Sequence, residues 1–457
     1  RPFAIRRENP NDIEFLRGVS LRTWSFFRDF STADHHWLVP DNVQQQPYAV
    51  ARRTSPTNFG LQLAANLAAF DFGYLTAGEL AKRSQDLLNT LSRMERHNGH
   101  FFNWYSTSDL TPLPPRYVST VDSGNLAAAL IAFRQGCEEI VQGPLVDATV
   151  LDGLRDHLIR LRRALPASVK SLAIMRAISS LLRQLESRPT DLFFWEGILS
   201  EVAAMTRRLD DHIDWACEHL EARNPEAVGE IRYWQAALQE RMASVLEGLC
   251  VLAPWLAAPF EPVLRSCASD PRFRDLMSAL ASIPNIGELP RAYDTIQAEI
   301  AGVPREGLRS SLQDLLTRLS AAVEEARAHA GGIITAFLRN SRLAASLTRE
   351  MDFQFLFDKR SGLLAIGYDA DRCEMDNSFY DLLASEARIA VFLAIAKGDA
   401  PREAWFRLGR RITSFRGAST LVSWSGTMFE YLMPALFMKT FEQTLLTACR
   451  RGVVKIQ

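Results

Sequence analysis

The sequence predicts an all-α protein, an α/α barrel of paired helices with a long helical insertion and a small β-hairpin. Three observations predict it. Apolar residues recur at helical spacing in one segment after another. Polar loops rich in aromatic residues separate these segments in the first and last parts. Between those parts lies a Leu-, Ala- and Arg-rich stretch with no strand signal.

The first part of the expected barrel is residues 1–142. A helix is expected over 61–70, stopped at Asp71-Phe72-Gly73. Another is expected over 76–97, with Leu80, Leu87, Leu88 and Leu91 on one face. Thr76 followed by Glu79 is a capping box at its start, and Asn98-Gly99 is the helix stop. Loops follow at Asn103-Trp104-Tyr105 and Pro112-Leu113-Pro114-Pro115, then a helix after Asp122-Ser123 with Leu126, Leu130 and Phe133. In 143–349, Leu151, Leu154, Leu158, Leu161 and Leu165 make a single apolar seam, and Leu312, Leu315, Leu319, Val323 and Ala326 make a second. This stretch is the helical insertion. Residues 350–457 form the second part of the barrel. The alternating run 352–358, a turn at 359–362 and the run 363–368 predict the hairpin, and helices are expected over 378–397 and 428–449.

Composition narrows the function. Lys and Arg number 52 against 53 Asp and Glu, a net charge of -1, so no basic footprint for nucleic acid exists. A neutral sugar polymer needs no charged surface. The six cysteines are scattered without a CxxC pair, which fits neither a zinc site nor a disulfide framework and suits reduced thiols. The most apolar stretch, 248–260, contains Pro254 and Pro259 and falls short of the ~20 residues a bilayer span needs. The chain begins at Arg1, which suggests a soluble piece of a longer protein. Asp71-Phe72-Gly73 has no kinase glycine loop beside it, and His35-His36 and His97 with His100 lack the HExxH spacing. Asp210-Asp211-His212 with Asp214 is expected to be a solvated helix face. Neither metal nor organic cofactor is expected.

Glycosidic-bond chemistry requires an acid on the leaving oxygen and a base or nucleophile across the sugar ring, usually two carboxyl groups. Four segments place carboxylates or small polar groups among aromatic residues: 53–58 with Arg53 and Asn58, 119–125 with Asp122 and Asn125, 380–388 with Tyr380, Asp381 and Glu386, and 423–431 with Trp424 and Glu430. Trp104 and Tyr105 add aromatic surface for a sugar ring. Each has a plainer explanation. Asp122 suits a helix N-cap. Glu386, within an apolar expected helix, suits a structural ion pair with Arg388. Glu430 suits a first-turn acid favoured by the helix dipole, and Trp424 suits a core.

The strings RRTSPTNFGL (52–61), NWYSTSDLTPLPPRYVSTVDSGNLAAAL (103–130), FLFDKRSGLLAIGYD (355–369), NSFYDLLASEARIAVFLAIAKGD (377–399), WFRLGR (405–410) and SWSGTMFEYLMP (423–434) resemble the glycoamylase-like domain of cyclic β-1,2-glucan synthases. The resemblance covers roughly 10–142 and 350–450 and extends to the centre by position and composition. It implies an (α/α)6 barrel that closes linear β-1,2-glucan into a ring by retaining transglycosylation. It also implies a parent protein of the bacterial inner membrane, with glycosyltransferase and phosphorylase-like regions and this part on the cytoplasmic face. Carried over by position, Glu386 is the expected nucleophile and Glu430 a second catalytic candidate or an acceptor for a sugar hydroxyl. Arg53, Asn58, Asp122, Asn125, Tyr380 and Trp424 are expected substrate contacts, with Trp104, Tyr105 and Asp381 beside them. The family's other glutamate falls in a later Trp-Gly-Ile-Ser-Glu segment, so the barrel is expected to be incomplete at its C-terminal end and the piece to turn over poorly. An endo-β-1,2-glucanase and a non-catalytic glucan-binding or scaffold module are the rival expectations.

Overall fold

The structure, a computed structural model, describes residues 9–415 and 417–456. Its helices are α1 (Pro10–Phe30), α2 (Pro56–Asp71), α3 (Ala77–Leu91), α4 (Thr120–Gln142), α5 (Thr149–Ala164), α6 (Leu172–Gln184), α7 (Leu192–Leu220), α8 (Pro225–Leu252), α9 (Phe260–Cys267), α10 (Arg274–Ala281), α11 (Leu289–Gly302), α12 (Ser310–Glu350), α13 (Arg388–Lys397), α14 (Glu403–Arg407), α15 (Met428–Leu432) and α16 (Leu445–Ile456). The strands are short and pair in twos and threes. The expected all-α class is therefore observed. Among the described residues no helix is long and apolar enough to cross a membrane.

The chain divides into two compact units. The first holds residues up to Phe26, Leu67–Lys82 and Glu138–Leu338; the second holds Phe27–Asn66, Arg83–Cys137 and the residues from Arg339 on. The central helices thus pack with two stretches from the N-terminal part.

In the first unit every residue of the seam 151–165 is buried, and α5 packs on α8 and α6. Burying one such leucine contributes roughly 1.5–3 kcal/mol, so the seam is a major cohesive term. In α12, Leu315, Leu319, Val323 and Ala326 are buried and Leu312 is half-buried. Buried carboxylates in this unit have partners. Asp156 accepts from Arg17 Nε at 2.8 Å and from the Tyr74 hydroxyl at 2.7 Å. The expected capping box forms: Glu79 N donates to Thr76 Oγ1 at 3.2 Å and Thr76 N to Glu79 Oε2 at 2.6 Å, with Arg241 pairing the same carboxylate oxygen at 2.8 Å. Asp71-Phe72-Gly73 ends α2; Gly73 has φ 77°, and a Cβ there would lie 2.0 Å from the Thr149 carbonyl oxygen. On α7, Asp210 accepts from Gln235 and Gln239, while Asp211 and His212 face solvent. No group among the described residues gathers enough His, Cys, Asp and Glu to hold a metal ion.

The second unit corrects three expected helices. α3 stops at Leu91, and Asn98-Gly99 turns a hairpin between Arg96–His97 and His100–Phe101 instead of ending a helix. Both turn residues have positive φ, 48° and 80°, as a type I′ turn demands. The expected helix 378–397 is reduced to α13. Residues before it are spent on strand-like contacts: Tyr380 N donates to the Leu364 carbonyl and Leu383 N to the Gly409 carbonyl. The expected helix 428–449 breaks into α15 and α16, because Pro434 has no N–H to continue the first. The expected hairpin is present but short, pairing Phe357–Asp358 with Leu363–Leu364, and 354–356 is a 3-10 turn.

These features aim the start of α4. Strand Gly367–Asp369 pairs with Tyr117–Ser119, and Thr120 donates its N–H to the Ile366 carbonyl (3.0 Å) and its hydroxyl to the Ala365 carbonyl (2.7 Å). α4 then passes against α13 at Gly124. A Cβ there would lie 2.7 Å from the Ala390 backbone nitrogen and 2.8 Å from its Cα. Backbone cannot yield as a side-chain tip can, so Gly124→Ala is expected to destabilise the chain by about 1–3 kcal/mol. Gly332→Ala on α12 meets nothing within 4 Å and is expected to stabilise by up to about 1 kcal/mol. Urea unfolding of the two variants checks both signs.

Candidate active site

Asp122 lies in the first turn of α4 and does not cap it. The Ser119 hydroxyl does, accepting from Asp122 N at 3.3 Å. The Asp122 carboxylate turns instead to the first turn of α2, accepting the Thr57 hydroxyl at 2.6 Å and the Thr57 N–H at 3.4 Å. With the Asn103 amide oriented to satisfy both neighbours, its nitrogen donates to Asp122 Oδ2 (2.9 Å) and its oxygen accepts from Trp104 Nε1 (3.2 Å). Three residues beyond Asp122, buried Asn125 donates from Nδ2 to Thr57 Oγ1 and to Glu386 Oε2, both at 3.1 Å.

Glu386 sits in the turn just before α13, not within a helix. Arg388 does not pair with it. The buried Arg388 guanidinium donates to three carbonyls, those of Leu383 (3.3 Å), Ser385 (3.1 Å) and Tyr431 (3.0 Å). Burial pushes its pKa down to about 10. Two of these carbonyls belong to the loop leading to Glu386 and the third follows Glu430, so Arg388 ties the two carboxylate-bearing segments together.

Glu430 is buried and accepts three hydrogen bonds from its own loop: the Ser423 hydroxyl (3.0 Å), Ser425 N (3.0 Å) and the Ser425 hydroxyl (2.7 Å). α15 is capped separately by Thr427. Burial opposes the Glu430 charge, but the donors outweigh it and hold its pKa below the usual range. Glu386 goes the other way. Burial pushes it up to about 7; Asn125 opposes the rise, and the charges of Asp122 and Glu430 add to it. Burial also raises Asp122 against its hydroxyl and amide donors. Tyr380 is raised by burial and by Glu386, Asp122, Asp376 and Glu430, which keeps its hydroxyl a donor among carboxylates. Two carboxyl groups with pKa values driven apart can divide acid and base roles.

Arg53, Asn58 and Trp104 form an adjoining cluster. The Arg53 guanidinium lies 4.3 Å from the centre of a Trp104 ring and reaches Asp41 at 3.3 Å, and Asn58 Nδ2 donates to Asp41 at 3.5 Å. Asn103 links this cluster to Asp122. Trp424, 56% exposed, lies in the loop around Glu430 and is not core. Tyr105 is fully buried, its hydroxyl donating to the Glu95 carbonyl and accepting from Phe102 N, so its ring serves the core. Asp381 is exposed, its carbonyl accepting from Gly409 N. Sequence reasoning missed Thr57, Asn103, Asp41 and the carbonyl-binding role of Arg388. Thr57 and Asn103 stand inside the strings quoted above; Asp41 has no such signal.

No protein-family model matches the chain. Over 449 residues, 97% of its length, the chain is 33% identical to the Cyclic beta-(1,2)-glucan synthase NdvB of Rhizobium meliloti (strain 1021), and it spans 13% of that protein's length. The resemblance seen in the sequence therefore extends through the central helices as well. A solved structure, a putative glucoamylase from Bacteroides fragilis NCTC 9343, aligns over 30% of this chain and 34% of that one at 18% identity; its TM-score of 0.26 is too low to bear on the fold.

A carboxyl whose pKa is raised on folding contributes stability that is full below its unfolded pKa, near 4.5, and is lost as pH rises through about 7. Glu386→Gln removes that loss. The variant is expected to exceed the parent in stability by about 2–3 kcal/mol at pH 8, with the gain vanishing toward pH 4, as measured by denaturant unfolding across that range.

Proposed function

We propose that this chain is a glucan-active part of a cyclic β-1,2-glucan synthase and that its site transfers a glycosidic bond of β-1,2-glucan, with Glu386 as the proton carrier. The similarity to the synthase supports the substrate class. The observation that carries the site is Glu386 itself: partly buried, hydrogen-bonded to Asn125, paired with no cation among the described residues, and raised to about 7. A carboxyl that titrates there can protonate the leaving oxygen and take the proton back from the incoming hydroxyl. This assigns Glu386 as acid and base in place of the nucleophile expected by position, since a nucleophile must be ionised at the outset.

The proposed reaction balances without water. The glycosidic C–O bond breaks as its oxygen takes the Glu386 proton. A hydroxyl of the chain's far end then bonds to the anomeric carbon and returns a proton to Glu386. Glu430, held ionised by its three donors, would stabilise positive charge developing at the anomeric carbon. Tyr380 would donate to a sugar hydroxyl, and Trp424 and Trp104 would offer ring faces. The helical stretch 143–349 is proposed as the insertion, and the glycosyltransferase and phosphorylase-like regions as neighbours in a membrane-anchored parent on the cytoplasmic side.

Mass spectrometry of linear β-1,2-glucan incubated with the whole domain that contains this chain tests the proposal. Products lighter by one water than the linear glucan of equal length are expected. Shorter linear products would make the site a hydrolase, and unchanged glucan a binding module. Glu386→Gln is expected to cost at least about a hundredfold in rate. In the parent, the rate of the first step is expected to fall as pH rises past about 7, where the acid form is lost. A Glu386→Gln variant with full activity would sink the assignment.

A further inference from the structure

We infer that Thr57 is a positioning residue: its one hydroxyl proton locks the Asn125 amide so that nitrogen, and not oxygen, faces Glu386, which keeps the Glu386 proton on Oε1. This rests on the proton-carrying role of Glu386 proposed above.

The supply of hydroxyl protons decides how the Asn125 amide lies. A hydroxyl has one proton. Thr57 gives it to Asp122 Oδ1 at 2.6 Å, a length typical of a hydroxyl on an ionised carboxylate. Asp122 has other donors on it, the Thr57 N–H on Oδ1 and the Asn103 amide on Oδ2, so both of its oxygens serve as acceptors. With its proton committed, Thr57 Oγ1 has only lone pairs to offer Asn125. A flipped Asn125 would set Oδ1 against that oxygen, two acceptors in contact. The amide is therefore fixed with Nδ2 toward Thr57, and its second N–H reaches Glu386 Oε2 at 3.1 Å.

The lock has a visible cost. Asn125 is 1% exposed, and its Oδ1 has no hydrogen-bond partner among the described residues. An amide free to choose would turn that oxygen toward a protonated Glu386 and accept from it. That choice would bury the working proton in an internal hydrogen bond. Held as it is, Asn125 occupies Oε2 as a donor, and a proton carried by Glu386 must sit on Oε1. The other titratable groups facing Glu386 are Asp122 from α4, Glu430 from α15 and the Tyr380 hydroxyl. None of them competes for the Asn125 amide.

The test is a pH titration of the Glu386 carboxyl by carbon-13 NMR, without glucan, its signal assigned by loss in Glu386→Gln. In Thr57→Val the amide can flip and accept from protonated Glu386. The Glu386 pKa is then expected to rise by about one unit, a tenfold gain in proton affinity. Thr57→Ser keeps a hydroxyl and is expected to titrate as the parent does. If Thr57→Val fails a thermal-unfolding check, Thr57→Ala replaces it with the same rise expected. An unchanged Glu386 titration in a folded Val or Ala variant overturns the inference, as does a rise in Thr57→Ser equal to that in Thr57→Val. A parent that shows the titration pattern but leaves glucan unchanged overturns the proposed transfer reaction and spares the role of Thr57.

Discussion

The arrangement of the second unit turns on a buried arginine without a carboxylate. Arg388 spends its guanidinium on the carbonyls of Leu383, Ser385 and Tyr431. Two of those carbonyls lie in the irregular loop before α13 and the third at the end of the short α15, and a buried carbonyl left alone is costly. One cation with five donors can close such ends at once. The result is that the turn bearing Glu386 and the short α15 bearing Glu430 share an anchor. A lysine, with a compact ammonium in place of a planar fork, could not span the same carbonyls.

Buried acid is met by cations at two places in the first unit and by neutral donors at Asp210 there and at three places in the second unit. In the first, Asp156 has Arg17 and Tyr74, and Glu79 has Arg241 and its own capping box. These are the pairings expected where a charge serves structure, since an unpaired buried charge is expensive. In the second, Asp122 is held by hydroxyl and amide donors, Glu430 by two serines, and Glu386 by one amide. No cation neutralises any of the three among the described residues. Burial raises Glu386 to about 7 and raises Asp122 as well, whereas the donors on Glu430 outweigh the same effect. A carboxyl held in this way suits the proton-carrying role proposed for Glu386.

The sequence by itself determined the helical class, the seam 151–165, the capping box at Thr76 and Glu79, and the segments from which the site is built, because these depend on local spacing and composition. It also marked Asp122, Asn125, Glu386 and Glu430 through their setting among aromatic and small polar residues. Tertiary structure decided the rest. Asn98-Gly99 suits a helix end and a hairpin turn equally, and only the pairing of Arg96–His97 with His100–Phe101 chose between them. The apolar run after Ser378 has helical content, yet near its start Tyr380 bonds Leu364, and Asp381 and Leu383 bond Gly409. Arg388, two residues from Glu386, was the natural ion-pair partner until three carbonyls claimed it. Thr57, inside the polar segment 53–58 but with no charge or ring to single it out, became the link between Asp122 and, through Asn125, Glu386. Helical periodicity is a property of neighbours along the chain and can be read there. Hydrogen-bond polarity and proton affinity depend on which distant donors arrive, and only the folded chain brings them together.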